Sequence, residues 1–286
     1  MGGNIFKDFA EPIERKNIRP TINRYIQHLG YIFPRKAHVF QKFVLVGSAG
    51  KKEISGDLDI AFDLGTFFDG EPFNDNELRD YKIFPEEFTR LYNKIKSRAR
   101  TSTDEMCKLK AFLKLISWPI SLEGMIHVAD DKTTTGNIFT MFPQYNRQGQ
   151  LDSYVQIDWM VGDPKWTKFS YHSGESGNLK GLHRTQLMVA MLSNKGYTFS
   201  HLHGIKIKKS REFVATKPSE AVELFNELFG PMKQEDFHSF IRLHGFLRKY
   251  TTDTTYNEII NSYLNILKTC KAEIPNILKE FSYESS

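Results

Sequence analysis

The segment Phe43-Val44-Leu45-Val46-Gly47-Ser48-Ala49-Gly50-Lys51-Lys52-Glu53-Ile54-Ser55-Gly56-Asp57-Leu58-Asp59-Ile60-Ala61-Phe62 constrains the fold more than any other part of the chain. An apolar run stops at a Gly-Ser turn, a short basic and polar loop follows, and a second apolar run opens on two acids. The pattern predicts a strand–turn–strand unit. Successive strand side chains point to opposite faces, so Asp57 and Asp59 share one face while Leu58 enters the core. Adjacent carboxylates repel unless a cation lies between them. Such all-oxygen donor sets suit Mg²⁺, which proteins hold through one or two carboxylates together with substrate phosphates. The turn adds backbone N–H groups and the Ser48 hydroxyl, which can meet a phosphate at close range. Metal-assisted phosphoryl transfer is the chemistry this pattern points to.

Two-metal phosphoryl transfer needs a further carboxylate beside the first pair. Asp158 is the best candidate, a lone acid within Tyr154-Val155-Gln156-Ile157-Asp158-Trp159-Met160-Val161. An acid in so apolar a strand is costly unless it is paired or ligates a metal. Asp63, Asp130, Asp131 and Asp163 fall at a strand end or in expected loops and turns and rank lower.

Along the rest of the chain, residues 8–40 show helical spacing interrupted by Pro12, Pro20 and Pro34, read as two short helices. Helical patterns follow over about 75–100 and 103–117, the second ending at Pro119, with a strand expected over 120–128. Asn137–Met141 and Ser153–Val161 read as antiparallel strands joined by the turn Asn146-Arg147-Gln148-Gly149-Gln150. Beyond Tyr171 the spacing predicts a helix over 182–193, a hairpin pairing 197–201 with 204–208, and a helix from Pro218 to Phe229 stopped by Gly230-Pro231. Two or three amphipathic helices are expected, near 235–250, 254–270 and 274–282.

Composition excludes some classes. At 286 residues the chain can bury a sizeable core. No apolar stretch approaches the ~20 residues that span a bilayer, and Met1–Asp8 lacks a signal-like apolar core, so an intracellular, cytoplasmic protein with no membrane partner is expected. Two cysteines, Cys107 and Cys270, are too few for a disulfide framework. The net charge of +5 leans towards polyanionic partners. Basic residues cluster at Lys94, Lys96, Arg98 and Arg100, and again at Lys206, Lys208, Lys209 and Arg211. His201 and His203 lack a third metal ligand and read as structural.

Taken together, Gly47-Ser48, Ser55-Gly56-Asp57-Leu58-Asp59 and Asp158 resemble the palm of the DNA polymerase beta-like nucleotidyltransferase superfamily, most closely family X DNA polymerases. The stretches Phe169-Ser170-Tyr171-His172-Ser173-Gly174, Leu182-His183-Arg184-Thr185 and Lys195-Gly196-Tyr197-Thr198-Phe199 are similar to that family's palm-to-thumb passage. The likeness spans roughly residues 40–232. It implies an α+β fold: a palm with a mixed or antiparallel sheet flanked by helices, then a mainly helical thumb. On that basis residues 1–40 form an N-terminal helical segment, 41–170 the palm with a helical insertion at about 75–117, and 171–286 the thumb-like C-terminal domain.

The resemblance also implies roles. Asp57, Asp59 and Asp158 would hold two Mg²⁺ ions, with Mn²⁺ as a substitute. Gly47 and Ser48, with Lys51 or Lys52, would grip the triphosphate of an NTP or dNTP. Tyr171, Ser173 and Gly174 would face the nucleotide sugar, and Arg184 the nascent base pair or template. The implied reaction is attack of a hydroxyl, foremost the 3′ end of DNA or RNA, on the α-phosphate with loss of pyrophosphate. Alternatives on the same residues are a transferase acting on a tRNA or RNA end, a small molecule or a protein, and a non-catalytic nucleic-acid-binding module.

Overall fold

Two strands far apart in the chain, running parallel side by side, organise the part of the fold that matters for function. The computed structural model describes residues 5–99, 102–129, 133, 136–172, 179 and 181–279. The chain divides into two units, Met1–Pro164 and Lys165–Ser286, each with its own apolar core.

The first unit opens with β1 (Ile13–Glu14), α1 (Arg15–Ile32) and a short helix α2 (Ala37–Phe40), followed by strands β2 (Val44–Val46), β3 (Ile54–Ser55) and β4 (Leu58–Phe62). Helices α3 (Asp75–Asp80), α4 (Pro85–Arg98) and α5 (Asp104–Leu122) lead to β5 (His127–Val128), β6 (Asn137–Tyr145) and β7 (Leu151–Val161). The main sheet has the order β2-β4-β7-β6-β5, in which β4 and β7 are parallel and every other pair antiparallel. A parallel pair requires a long crossover, and α3, α4, α5 and two strands supply it. β1 and β3 form a separate two-stranded ribbon.

The sheet has one face turned to an apolar core and one that carries acids. Leu58, Ile60 and Phe62 of β4 and Val155, Ile157, Trp159 and Val161 of β7 enter a core shared with Tyr25 and Leu29 of α1 and Phe112 and Ile116 of α5. Trp159 donates its indole N–H to the Tyr25 hydroxyl at 2.6 Å, and that hydroxyl lies 2.9 Å from Thr140 Oγ1. Residues 5–40 therefore belong to this unit's core and do not stand apart. Strand alternation then forces Asp59, Gln156 and Asp158 onto the opposite face.

Two prolines that were expected to break helices lie inside them. Pro20 sits within α1, which is one helix of 18 residues, and Pro119 sits within α5, which continues to Leu122. A proline removes one ladder hydrogen bond and crowds the preceding turn. Buried neighbours on either side, Ile18 and Thr21 in α1 and Ile116 and Ile120 in α5, hold each helix together through packing. The strand expected over 120–128 shortens accordingly to β5. The Asn146–Gln150 turn forms as anticipated: Gly149 adopts φ +77° and donates to the Asn146 carbonyl at 3.0 Å.

The second unit comprises α6 (Pro164–Ser170), α7 (Gly181–Asn194), the antiparallel strands β8 (Tyr197–Ser200), β9 (Gly204–Ile207) and β10 (Phe213–Ala215), then α8 (Pro218–Phe229), α9 (Phe240–Tyr250) and α10 (Asp253–Thr269). Helix α7 is buried almost all round from His183 to Leu192, the signature of a central helix. No helix among the described residues is long and apolar enough to cross a membrane.

Candidate metal centre

Register brings the acids together. Val46 of β2 pairs with Asp59, and Asp59 pairs in turn with Asp158 across the parallel β4–β7 ladder. Neighbouring strands lie about 4.8 Å apart, so the two side chains stand next to each other on one face. Asp57, immediately before β4, completes the cluster: one carboxylate oxygen from each of Asp57, Asp59 and Asp158 lies within 4.8 Å of the others. Asp57 and Asp158 are buried and Asp59 is half-buried.

The Gly-Ser turn closes over this cluster. Gly47 is buried and adopts φ +67°, and a Cβ placed on it would run into Asp59 Oδ2. Only glycine permits that backbone conformation together with so close an approach. Ser48 follows it, half-buried; its carbonyl accepts from the Lys51 N–H at 3.1 Å and the Ser55 hydroxyl at 3.3 Å. These two bonds tie the loop back towards the start of β4. Lys51 and Lys52 are half-buried in the same loop.

Gln156 is a participant that the sequence reading missed. Two residues before Asp158 on β7, it shares that face, is 1% exposed, and donates its amide to both Asp158 oxygens at 2.9 Å. Its own oxygen accepts from the backbone N–H groups of Ile5 and Phe6, which fixes the amide's orientation. Residue alternation could have revealed it: a polar side chain at the i−2 position of a lone strand acid.

Burial and mutual repulsion disfavour the charged forms of Asp59 and Asp158. Burial first, then the neighbouring Asp57 charge, pushes Asp59 up to about 8. Asp158 is raised well above the ordinary carboxylate range by burial and by Asp59 and Asp57, against the opposing hydrogen bonds from Gln156. Among the described residues, no lysine or arginine forms an ion pair with Asp59 or Asp158. Three converging carboxylates, with raised proton affinity at Asp59 and Asp158 and purely oxygen donors, fit a hard divalent cation of the Mg²⁺ or Mn²⁺ type.

The remaining predicted residues lie in the second unit. Arg184 is 2% exposed; its guanidinium donates to the Phe237 carbonyl and, at 3.3 Å, to the Ser170 carbonyl, with the Phe169 ring 5.1 Å away. Burial lowers its pKa to about 9. It braces α6 against α7 and the 234–238 turn, a structural task. Tyr171 is half-buried, its ring 5.3 Å from that of His201. Ser173 and Gly174 lie outside the described residues. His201 is held down at about 4 by burial and stays neutral, while His183 and His244 are bonded to the hydroxyls of Tyr263 and Tyr256.

No known protein-family model and no curated protein matches this chain.

Proposed function

We propose that this protein is a divalent-metal-dependent nucleotidyltransferase built on a palm of the DNA polymerase beta-like type, transferring a nucleoside monophosphate from an NTP or dNTP to a hydroxyl, foremost the 3′ end of a nucleic acid. One observation carries the reading: Asp57, Asp59 and Asp158 converge within 4.8 Å directly beneath a Gly-Ser turn. A mixed sheet flanked by helices, followed by a mainly helical unit, is compatible with a palm and thumb.

In this reading Asp57, Asp59 and Asp158 hold the metal. The metal neutralises phosphate charge and lowers the pKa of the attacking hydroxyl when bound. The chain's own residues do the positioning. Ser48 and the N–H groups of its turn receive the terminal phosphates, and Lys51 or Lys52 offsets their charge. Asp158, oriented by Gln156, lies where the acceptor hydroxyl must approach. Catalysis here is alignment and charge compensation.

Labelled NTPs and dNTPs, offered separately with Mg²⁺ or Mn²⁺ to oligonucleotide primers, tRNA, small hydroxyl compounds and the protein alone, test the proposal. Label should enter a nucleic-acid end and vanish in the Asp59→Ala variant. Transfer to a small molecule or to the protein itself would keep the chemistry and replace the acceptor. No transfer to any acceptor, despite bound metal and nucleotide, would overturn the reading.

A further inference from the structure

The structure carries a second feature on the first unit, away from the acids. An open groove of about 590 Å³ is lined by Arg15, Lys16 and Arg19 of α1, Arg147 of the β6–β7 turn and Glu53 of the loop after Ser48. Four cations and one carboxylate line it, with Glu14 and Asp152 close enough to act on Lys16. All four are exposed. Lys16 contacts Glu14 at 2.5 Å, an exposed pair that screening weakens. Among the described residues, the guanidinium groups of Arg15, Arg19 and Arg147 have neither an ion-pair nor a hydrogen-bond partner.

Three cations of the linear basic runs are already engaged. Lys96 bonds Asp104 and Tyr92, Lys208 bonds Ser193, and Lys206 lies over the Phe213 ring. Helix α1 starts with Arg15 and Lys16, and Glu14 at its N-cap engages Lys16 alone, which leaves the Arg15 guanidinium open to a further anion.

The groove is tied to the metal centre through the backbone. The Arg15 N–H donates to the Glu53 carbonyl at 2.7 Å, and β1 pairs with β3 at Ile13–Ser55. Glu53 precedes Asp57 by four residues, so their Cα atoms are no more than about 14 Å apart. That is about four nucleotides along a B-form strand. The groove has no aromatic or large aliphatic lining to anchor in a lipid surface, and Arg147 of the β6–β7 turn adds a fourth cation to the three of α1.

We propose that this groove binds the phosphodiester backbone of the nucleic-acid acceptor, a few nucleotides from the end presented to Asp57, Asp59 and Asp158. The proposal rests on the nucleotidyl-transfer reading for its orientation, although the binding itself can be measured without catalysis. Phosphate contacts of this kind confer affinity with a steep salt dependence and no base preference.

Fluorescence anisotropy with a 5′-fluorescein single-stranded DNA, its RNA counterpart and a duplex, using the full chain across a salt series, provides the test. The variant Arg15→Gln/Arg19→Gln/Arg147→Gln should bind roughly tenfold or more weakly, with a log–log salt slope shallower by about 2 to 3. Glu53→Gln should bind more tightly than wild type. The Mg²⁺-dependent rise in Tm should match wild type in both variants, showing an intact metal centre. Unchanged affinity and slope in the triple variant would overturn the proposal. So would wild-type protein that binds tripolyphosphate or phosphatidylserine vesicles through these arginines but no oligonucleotide. Arginine-dependent oligonucleotide binding with no transfer to any acceptor would leave the groove standing and sink the enzymatic reading; transfer with arginine-independent binding would do the opposite.

Discussion

At the residue scale, two positions separate the candidate metal centre from ordinary strand chemistry. Gly47 must reach φ +67° and leave room for the Asp59 carboxylate. Gly47→Ala should cost about 1–2 kcal/mol of backbone strain and push Asp59 out of line. A misplacement of about 1 Å can cost ~100-fold in rate, so nucleotide incorporation should fall by about that factor or more, with folding retained by circular dichroism. Full activity in that variant would show that the turn does not position Asp59. Asp158 presents the converse case. Asp158→Asn keeps its size and one of the two oxygens that accept from Gln156, and removes an acid whose ionisation is disfavoured by burial and by two neighbouring carboxylates. The metal-free variant should melt at a higher temperature than metal-free wild type while losing transfer activity, the usual opposition between stability and a charged site. A lower Tm without metal would mean that Asp158 has a compensating partner.

At the scale of elements, Lys36 offers a test independent of catalysis. It is 2% exposed and lies 2.7 Å from Asp69 and 2.5 Å from Glu77, joining the turn before α2 to α3 and the loop ahead of it. Lys36→Ala leaves Glu77 buried without its partner, and losses of that kind run to about 3–5 kcal/mol. Chemical denaturation should report a loss of that size; a change under about 1 kcal/mol would show that water reaches the cluster. The same scale explains what could be read beforehand. The Asn146–Gln150 turn and α8 were legible because Asn, Gly and Pro fix local backbone angles. The candidate acids were legible because a lone acid in an apolar strand demands a reason. That Asp59 lies opposite Asp158 was not, since the register of parallel strands joined by a long crossover is set by tertiary packing and not by a turn. The β1–β3 ribbon and β10 are too short to show any period. Pro20 and Pro119 misled because buried neighbours outweigh one missing hydrogen bond. The Arg15–Arg147 groove escaped notice because Arg147 is far along the chain from Arg15, Lys16 and Arg19, whereas the linear basic runs drew attention.

At the scale of the whole molecule, the acid cluster makes stability depend on pH and metal together. Without metal, Asp59 holds its proton up to about 8 in the folded chain, against about 3.9 for an ordinary unfolded aspartate. Between those values the folded state binds more protons than the unfolded one, so stability falls as pH rises. The stabilising proton is fully present below about pH 4 and lost as the pH passes about 8, and Asp158, shifted in the same direction, adds to the trend. Metal binding works the other way, because the ligands must be deprotonated and the ion stabilises only the folded chain. Melting curves in EDTA should therefore fall in Tm from about pH 6 to about pH 8.5, while the gain on adding Mg²⁺ should grow over that interval. Asp158→Asn should flatten the EDTA series and shrink the Mg²⁺ gain. A metal-free Tm that climbs with pH, or a Mg²⁺ effect that is greatest in acid, would mean that the three carboxylates are already neutralised within the fold and do not form a metal centre.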